Sequence, residues 1–256
     1  MSRSKASSNG GENVVWKEKV SDEEYNRGQH TKKRADVSIE ALSPKQQAIV
    51  PIAALTAKGD LDALKTAIGE GLDAGLSINE IKEVQIHLYA YAGVPRALNG
   101  LATLMSVVDD RKAEGINDPV GQEASTLADD KSSVEVGKAV RTELSGKPVT
   151  GPLFDFAPAI NELLQGHLFG DLFARDILDY ESREIATVSA LASLDGVESQ
   201  LKAHIGIASN AGLSQAQIRE LAVVLSQTVG RREGRRAEQA IGAALPEQDQ
   251  QPGSGS

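Results

Sequence analysis

LDALKTAIGEGLDAGLSINEIKEV at 61–84 and ESQLKAHIGIASNAGLSQAQIREL at 198–221 are two versions of one pattern. Leu64/Leu201, Gly75/Gly212, Leu76/Leu213, Ser77/Ser214, Ile81/Ile218 and Glu83/Glu220 all stand 137 positions apart. Upstream the spacing is 136, as in Leu42/Leu178, Ile49/Ile185, Ala54/Ala190 and Leu55/Leu191. One residue of slack therefore falls in the turn at Gly59 or Gly196. An internal repeat of this kind fixes the architecture before any single element is assigned. Each unit reads as helix, tight turn, helix, Ala-Gly-Leu-Ser turn, helix. One unit cannot cover its own apolar faces, whereas two stacked about a pseudo-twofold can.

The helix starts are marked by their chemistry. Ser43-Pro44-Lys45-Gln46 offers a cap, a proline at the first helical position and a Gln three residues after the cap. Ser77-Ile78-Asn79-Glu80 and Ser214-Gln215-Ala216-Gln217 have the form of capping boxes. Gly75 and Gly212 stand two residues before those caps, where a preceding helix ends on a left-handed residue. No long apolar/polar alternation occurs between 40 and 245, so the chain reads as all-α. The boundaries expected are a flexible N-terminal arm over 1–36, a first repeat over 37–113, a Gly/Pro/Ser-rich linker over 114–152, a second repeat over 153–245 and a disordered tail over 246–256.

Composition narrows the function. The 256 residues carry 27 basic and 36 acidic side chains, a net charge of −9, and nine aromatics (Phe 4, Tyr 4, Trp 1). That is a poor basis for nucleic-acid binding, which needs a positive field and stacking surfaces. Cysteine is absent, which removes disulfides, zinc fingers and any thiol nucleophile. No run of about 18 apolar residues predicts a membrane span. The sequence as written opens without an apolar signal segment, and a cytoplasmic location is expected. There is no clear metal-ligand spacing, phosphate loop or dinucleotide fingerprint, so neither metal nor cofactor is expected.

The segment 167–221 resembles the carboxymuconolactone decarboxylase family, within the alkylhydroperoxidase D-like superfamily. Phe169, Gly170, Phe173, Arg175, Leu178, Asp179, Arg183, Leu201, His204, Asn210 and Gly212 carry the likeness. In the first repeat, EIKEVQIHLYAYAGVPRALNG (80–100) is similar to the family's His, then Tyr-x-Gly-x-Pro, element. The resemblance implies two tandem helical repeats, a small-molecule carboxylate or lactone as substrate, and assembly of two-repeat chains into a homotrimer. Superfamily peroxidases place Glu, Cys-x-x-Cys and His on adjacent helices. Here Glu184 and His204 keep the outer spacing, but Val197 and Gln200 stand where the cysteines would. A thiol peroxidase is thereby excluded.

The repeats have diverged in complementary ways. Glu184 and His204 fall opposite Ala48 and Ala67, while His87, Tyr91 and Pro95 fall opposite Val224, Thr228 and Arg232. One composite site drawing on both repeats is expected. His204 is the expected proton donor, since imidazole titrates near neutrality, and Glu184 its orienting partner. His87 and Tyr91, at i and i+4 on one helix face, are expected to donate to a lactone or carboxylate oxygen. Arg175 is expected either to clamp a substrate carboxylate or to pair with Asp171 or Asp179. His30 and His167 lack a distinctive setting, and the Arg231/Arg232/Arg235/Arg236 cluster reads as a solvated or intersubunit face. The resemblance implies a cofactor-independent lyase acting on a small unsaturated lactone or keto acid, and these residues suit that chemistry. The competing reading is a non-catalytic helical or small-ligand binding protein, and the two differ in whether Glu184, His204 and His87 converge on one cavity.

Overall fold

The structure is a computed structural model that describes residues 41–125 and 131–245. The expected arm over 1–36, His30 and the tail over 246–256 lie outside the described residues. The first repeat consists of α1 (Pro44–Lys58), α2 (Leu61–Asp73), α3 (Ile78–Ala92) and α4 (Val94–Ala113). The second consists of α8 (Tyr180–Ala192), α9 (Glu198–Ala211), α10 (Gln215–Thr228) and α11 (Arg231–Ala244). Between them come α5 (Ser133–Ser145), α6 (Pro152–Phe156), α7 (Pro158–Leu163) and a π-helix, Leu164–Leu172. No strand occurs among the described residues. The helix starts reproduce the 136 and 137 offsets, and the two turn glycines, Gly59 and Gly196, both have φ +77°.

The predicted caps form. Ser43, Ser77 and Ser214 each accept from the backbone N–H three residues on, and Gln46, Glu80 and Gln217 each return a bond to the cap. Each such cap satisfies two donors that a helix leaves unpaired, an effect of about 1 kcal/mol. α1 and α8 are the centre of the fold. They are apolar nearly all round, with Ile49–Ala57 and Ser182–Ala192 buried without a break, as expected of helices surrounded by others. They pack on one another, and α2, α3, α4, α9, α10 and α11 complete the main core around them.

The expected linker over 114–152 is not one throughout. Residues 133–145 form α5, started by a capping box of Ser132 and Glu135 and stopped at Gly146 with φ +71°. Its apolar residues Val136, Val140 and Leu144 recur every four positions, a helical period diluted by Gly and Lys between them. Pro119 and Val120 also belong to the fold, since their carbonyls accept from Ile78 and Asn79, the unpaired first amides of α3, at 2.9 Å each.

α5 lies across the π-helix at a point where neither backbone tolerates a side chain. A Cβ at Gly137 would meet the Gln165 carbonyl oxygen, and one at Gly170 would stand 2.0 Å from the Ser133 carbonyl oxygen. This explains the glycine at 170, between Phe169 and Phe173. Its neighbours Phe169 and Phe173 join Val140, Leu144, Leu168 and Leu172 in a second, smaller core.

Candidate functional site

Glu184 on α8 and His204 on α9 are brought together by the turn at Gly196. The carboxylate Oε2 accepts from His204 Nδ1 at 2.8 Å. Glu184 is fully buried, and the His204 side chain is 11% exposed. With Nδ1–H committed to the carboxylate, Nε2 is the nitrogen left for other partners. The second carboxylate oxygen, Oε1, is buried without a hydrogen-bond partner.

Tyr91, from α3 of the first repeat, stands edge-on to His204 with ring centroids 5.4 Å apart. Its hydroxyl is also buried and unpaired. Burial, then the Glu184 carboxylate, pushes the phenol well above its ordinary range, so it stays protonated and remains a donor at neutral pH. Tyr91 and His204 form part of the wall of a cavity of about 780 Å³. The rest of the wall is mainly apolar, with Leu153, Ile160, Leu164, Leu168 and Ile207 prominent. The cavity lies between the main core and the smaller one, beneath α5, α6, α7 and the π-helix.

His87 does not reach this cavity, which corrects its expected role as a donor to substrate. It is fully buried behind Tyr91, with ring centroids 5.3 Å from Tyr91 and 5.1 Å from Phe173. Both ring nitrogens are engaged. Arg183 Nη1, which can only donate, lies 3.5 Å from Nδ1. Nε2–H therefore donates to Thr187 Oγ1 at 2.7 Å, and Thr187 donates in turn to the Arg183 carbonyl at 2.9 Å. Burial, then Arg183 and, after it, His204, hold the His87 imidazole well below its ordinary value, in the neutral form. Its place is to fix the face of α3 on which Tyr91 stands.

Arg175 is also corrected. It pairs neither with Asp171 nor with Asp179 and does not line the cavity. Its Nε donates to both oxygens of the buried Glu83, at 2.9 and 3.0 Å. Arg183, fully buried, donates from Nη2 to Glu83 at 2.8 Å and to the Arg175 carbonyl at 2.7 Å. This network joins α3 of one repeat to α8 of the other directly behind His87. His167 lies apart, paired with Asp171 at 3.0 Å and Tyr89 at 3.1 Å. In the basic cluster, Arg232 and Arg236 bond to Asp195 and tie α11 to the turn before α9.

One cavity residue was not anticipated. Arg141, on α5, is 6% exposed and lines the cavity. Its Nη1 donates to Asn161 Oδ1 at 2.6 Å, and the guanidinium stands 4.8 Å from the Phe154 centroid and 5.8 Å from that of Phe169. Burial alone lowers its pKa, with no carboxylate opposing the shift. The signal in the sequence was its position one turn after Gly137, beside the apolar stripe of α5. Among the described residues no group of three His, Asp or Glu side chains could hold a metal ion. Nor is any helix among them long and apolar enough to cross a membrane.

Comparison with known families gives one match. The sequence model of the carboxymuconolactone decarboxylase family matches residues 31–104 and 158–244, together more than half of the chain. One matched segment falls on each repeat, the second also taking in α7 and the π-helix, and α5, with Arg141, lies between them. Comparison with curated proteins gives no match. With a family match over both repeats, the chain belongs to the carboxymuconolactone decarboxylase family.

Proposed function

We propose that this protein is a cofactor-independent lyase of the carboxymuconolactone decarboxylase type, acting on a small unsaturated lactone or keto acid. The observation that carries this reading is His204 in the wall of an apolar cavity, held from behind by the buried Glu184, with the unpaired Tyr91 hydroxyl close by. Loss of CO2 breaks a carbon–carbon bond and leaves its electron pair on the substrate. In an unsaturated lactone that pair spreads into the carbonyl as a dienolate, so the substrate supplies its own electron sink. Tyr91 donates to the developing oxyanion, where a donor held in a dry site acts most strongly. His204, protonated, delivers a proton from Nε2 to carbon, and the product leaves with a new C–H bond. Glu184, bonded to Nδ1, holds the ring in place. Water then returns the proton to His204. A thiol route to peroxide reduction requires a cysteine, which this chain lacks.

The test is a panel of unsaturated lactone acids and β-keto acids, followed by CO2 release and run in parallel in D2O. Turnover with one solvent deuterium fixed in the product, lost on His204→Gln, is the expected result. Binding without CO2 release or deuterium uptake across the panel would overturn the lyase in favour of a non-catalytic binding protein. The same reading includes assembly into a homotrimer. Light scattering should then give three times the 27.0 kDa chain mass, and a monomer mass would remove the trimer.

A further inference from the structure

The cavity contains a buried positive charge that the acid–base pair does not use. Arg141 is more than nine-tenths buried, lies against two phenylalanine rings and has no carboxylate partner among the described residues. Its one side-chain bond is to a neutral amide, Asn161. A guanidinium has five N–H donors, so most of its capacity is left over. Burying a charge with neither counter-ion nor full hydrogen bonding is costly. A position that keeps such a group in a cavity wall has a ligand to meet it. The complement of a planar fork of N–H groups is a carboxylate.

The rest of the wall decides what carries that carboxylate. Among the described residues, no ionisable side chain apart from Arg141, His204 and Tyr91 lines the cavity. Most of the surface is aliphatic or aromatic, and about 780 Å³ sits in the upper part of the range for drug-sized ligands, about 300–1,000 Å³. A bare, highly charged lactone acid would fill little of that space and satisfy little of its surface.

We infer that Arg141 is the anion anchor of the site, and that the substrate is an acid whose one retained carboxylate sits on Arg141 while an extended apolar skeleton fills the cavity toward His204. The inference rests on the lyase reading for what happens at His204, but not for what binds at Arg141. The carboxylate held by Arg141 stays through the reaction, because an ion pair stabilises the charged ground state and opposes loss of that group as CO2. The group that leaves does so from the apolar end, beside His204 and Tyr91, where no guanidinium pairs with it. Arg141 belongs to the segment between the two family-matched stretches. The family framework therefore supplies the acid–base pair, and the inserted helix supplies the selectivity for the acid.

Calorimetric binding of the full chain separates this from the lyase reading, because it needs no turnover. The probes are octanoate and 4-phenylbutyrate, their amides, and the short polar diacid adipate. The acids should bind at least about tenfold more tightly than their amides, the equivalent of about 1.4 kcal/mol. They should also bind more tightly than adipate. Arg141→Gln should erase the acid-over-amide preference, Arg141→Lys should keep part of it, and His204→Gln should leave it intact. Equal binding of acid and amide by the unmodified chain overturns the inference without any variant having to fold. Adipate binding as tightly as octanoate overturns the apolar skeleton. If the acids bind as expected but nothing is decarboxylated, the anchor stands and the lyase falls.

Discussion

The pseudo-twofold creates two equivalent junctions. At one, α3 of the first repeat meets α8 of the second; at the other, α10 of the second meets α1 of the first. Each is spanned by the same glutamate of the repeat. Glu83 accepts from Arg183 at 2.8 Å, and Glu220 accepts from Gln47 at 3.2 Å and from the Leu42 amide at 2.7 Å. Gln47 is the counterpart of Arg183, 136 positions upstream. The framework contact survives in both places, but around it the chemistry does not. Glu184 and His204 have Ala48 and Ala67 as counterparts, and Tyr91 has Thr228, whose hydroxyl is satisfied by the Val224 carbonyl within its own helix at 2.8 Å. The described coverings, α5 and the π-helix, lie over the equipped junction. One bridge is thus a carboxylate held by an amide and a backbone N–H, and the other is a carboxylate–guanidinium network set behind the Glu184–His204 pair.

The comparison breaks most severely at His204. Replacing it with Gln should lower turnover of any lactone or keto acid substrate by about 10²–10⁴-fold, the usual effect of removing a positioned acid. Glu184→Gln should act in the same direction through the imidazole. Substitution of the counterparts, Ala67→Ser or Ala48→Ser, should leave turnover within a few-fold. Turnover unchanged in the His204 variant would remove that residue from the mechanism.

The second break concerns what lies behind the site. Arg183→Gln copies the unequipped junction and strips a fully buried charge partner from Glu83, leaving it Arg175 alone. Denaturant unfolding should show a loss of about 3 kcal/mol, the lower end for breaking a buried pair. Gln47→Ala, at the equivalent position, removes two amide bonds at the edge of the junction, to Glu220 and to the Leu42 carbonyl, and should cost about 1 kcal/mol. Equal losses at the two positions would mean that the junctions are energetically alike.

How much of this asymmetry could be read beforehand follows from the physics of each residue. The repeat, the caps at Ser43, Ser77 and Ser214, and the pairing of Glu184 with His204 were legible because they depend on local spacing and on helices fixed by a tight turn. The partners of Arg175 and the engagement of His87 were not. Both depend on Glu83 and Arg183, which meet across the two repeats and leave no spacing signature. α5 was hidden for a different reason. Gly137 lowers the helical and apolar signal of its segment, although it is there so that two backbones can touch. With the helix went Arg141.

That contact gives the third test. Gly170→Ala would place a Cβ 2.0 Å from the Ser133 carbonyl oxygen, a backbone atom that cannot move without shifting α5. The expected cost is about 1–3 kcal/mol, the range for overpacking. The acid-over-amide preference at Arg141 should also weaken, because α5 carries that residue. Unfolding and ligand binding unchanged in this variant would show that α5 does not depend on the crossing.

The smallest expected effect, and the sharpest discriminator between the halves, is in acid. Burial first, then Arg183 and His204, hold His87 well below its ordinary value of 6.5, whereas its counterpart Val224 does not titrate. Tyr91, Thr187 and Phe173 also face the ring and carry no charge near neutrality. In the unfolded chain His87 takes up a proton as the pH falls below about 6.5, and in the folded chain it does not. The unfolded state then binds more protons, so stability is at its full value above about 6.5 and declines below it. The decline approaches about 1.4 kcal/mol per pH unit until the folded imidazole itself titrates. Carboxylates held low in the fold, such as Glu80 and Glu233, lose stability in the same direction but only nearer their own ordinary range. Between pH 7.5 and 5.5 the His87 contribution should therefore be separable. Denaturant midpoints of the unmodified chain should fall across this interval by the equivalent of about 1 kcal/mol more than those of His87→Gln, whose amide can still donate to Thr187. Parallel curves for the two proteins would mean that the folded state accepts the proton, and that His87 is not held neutral between Arg183 and Thr187.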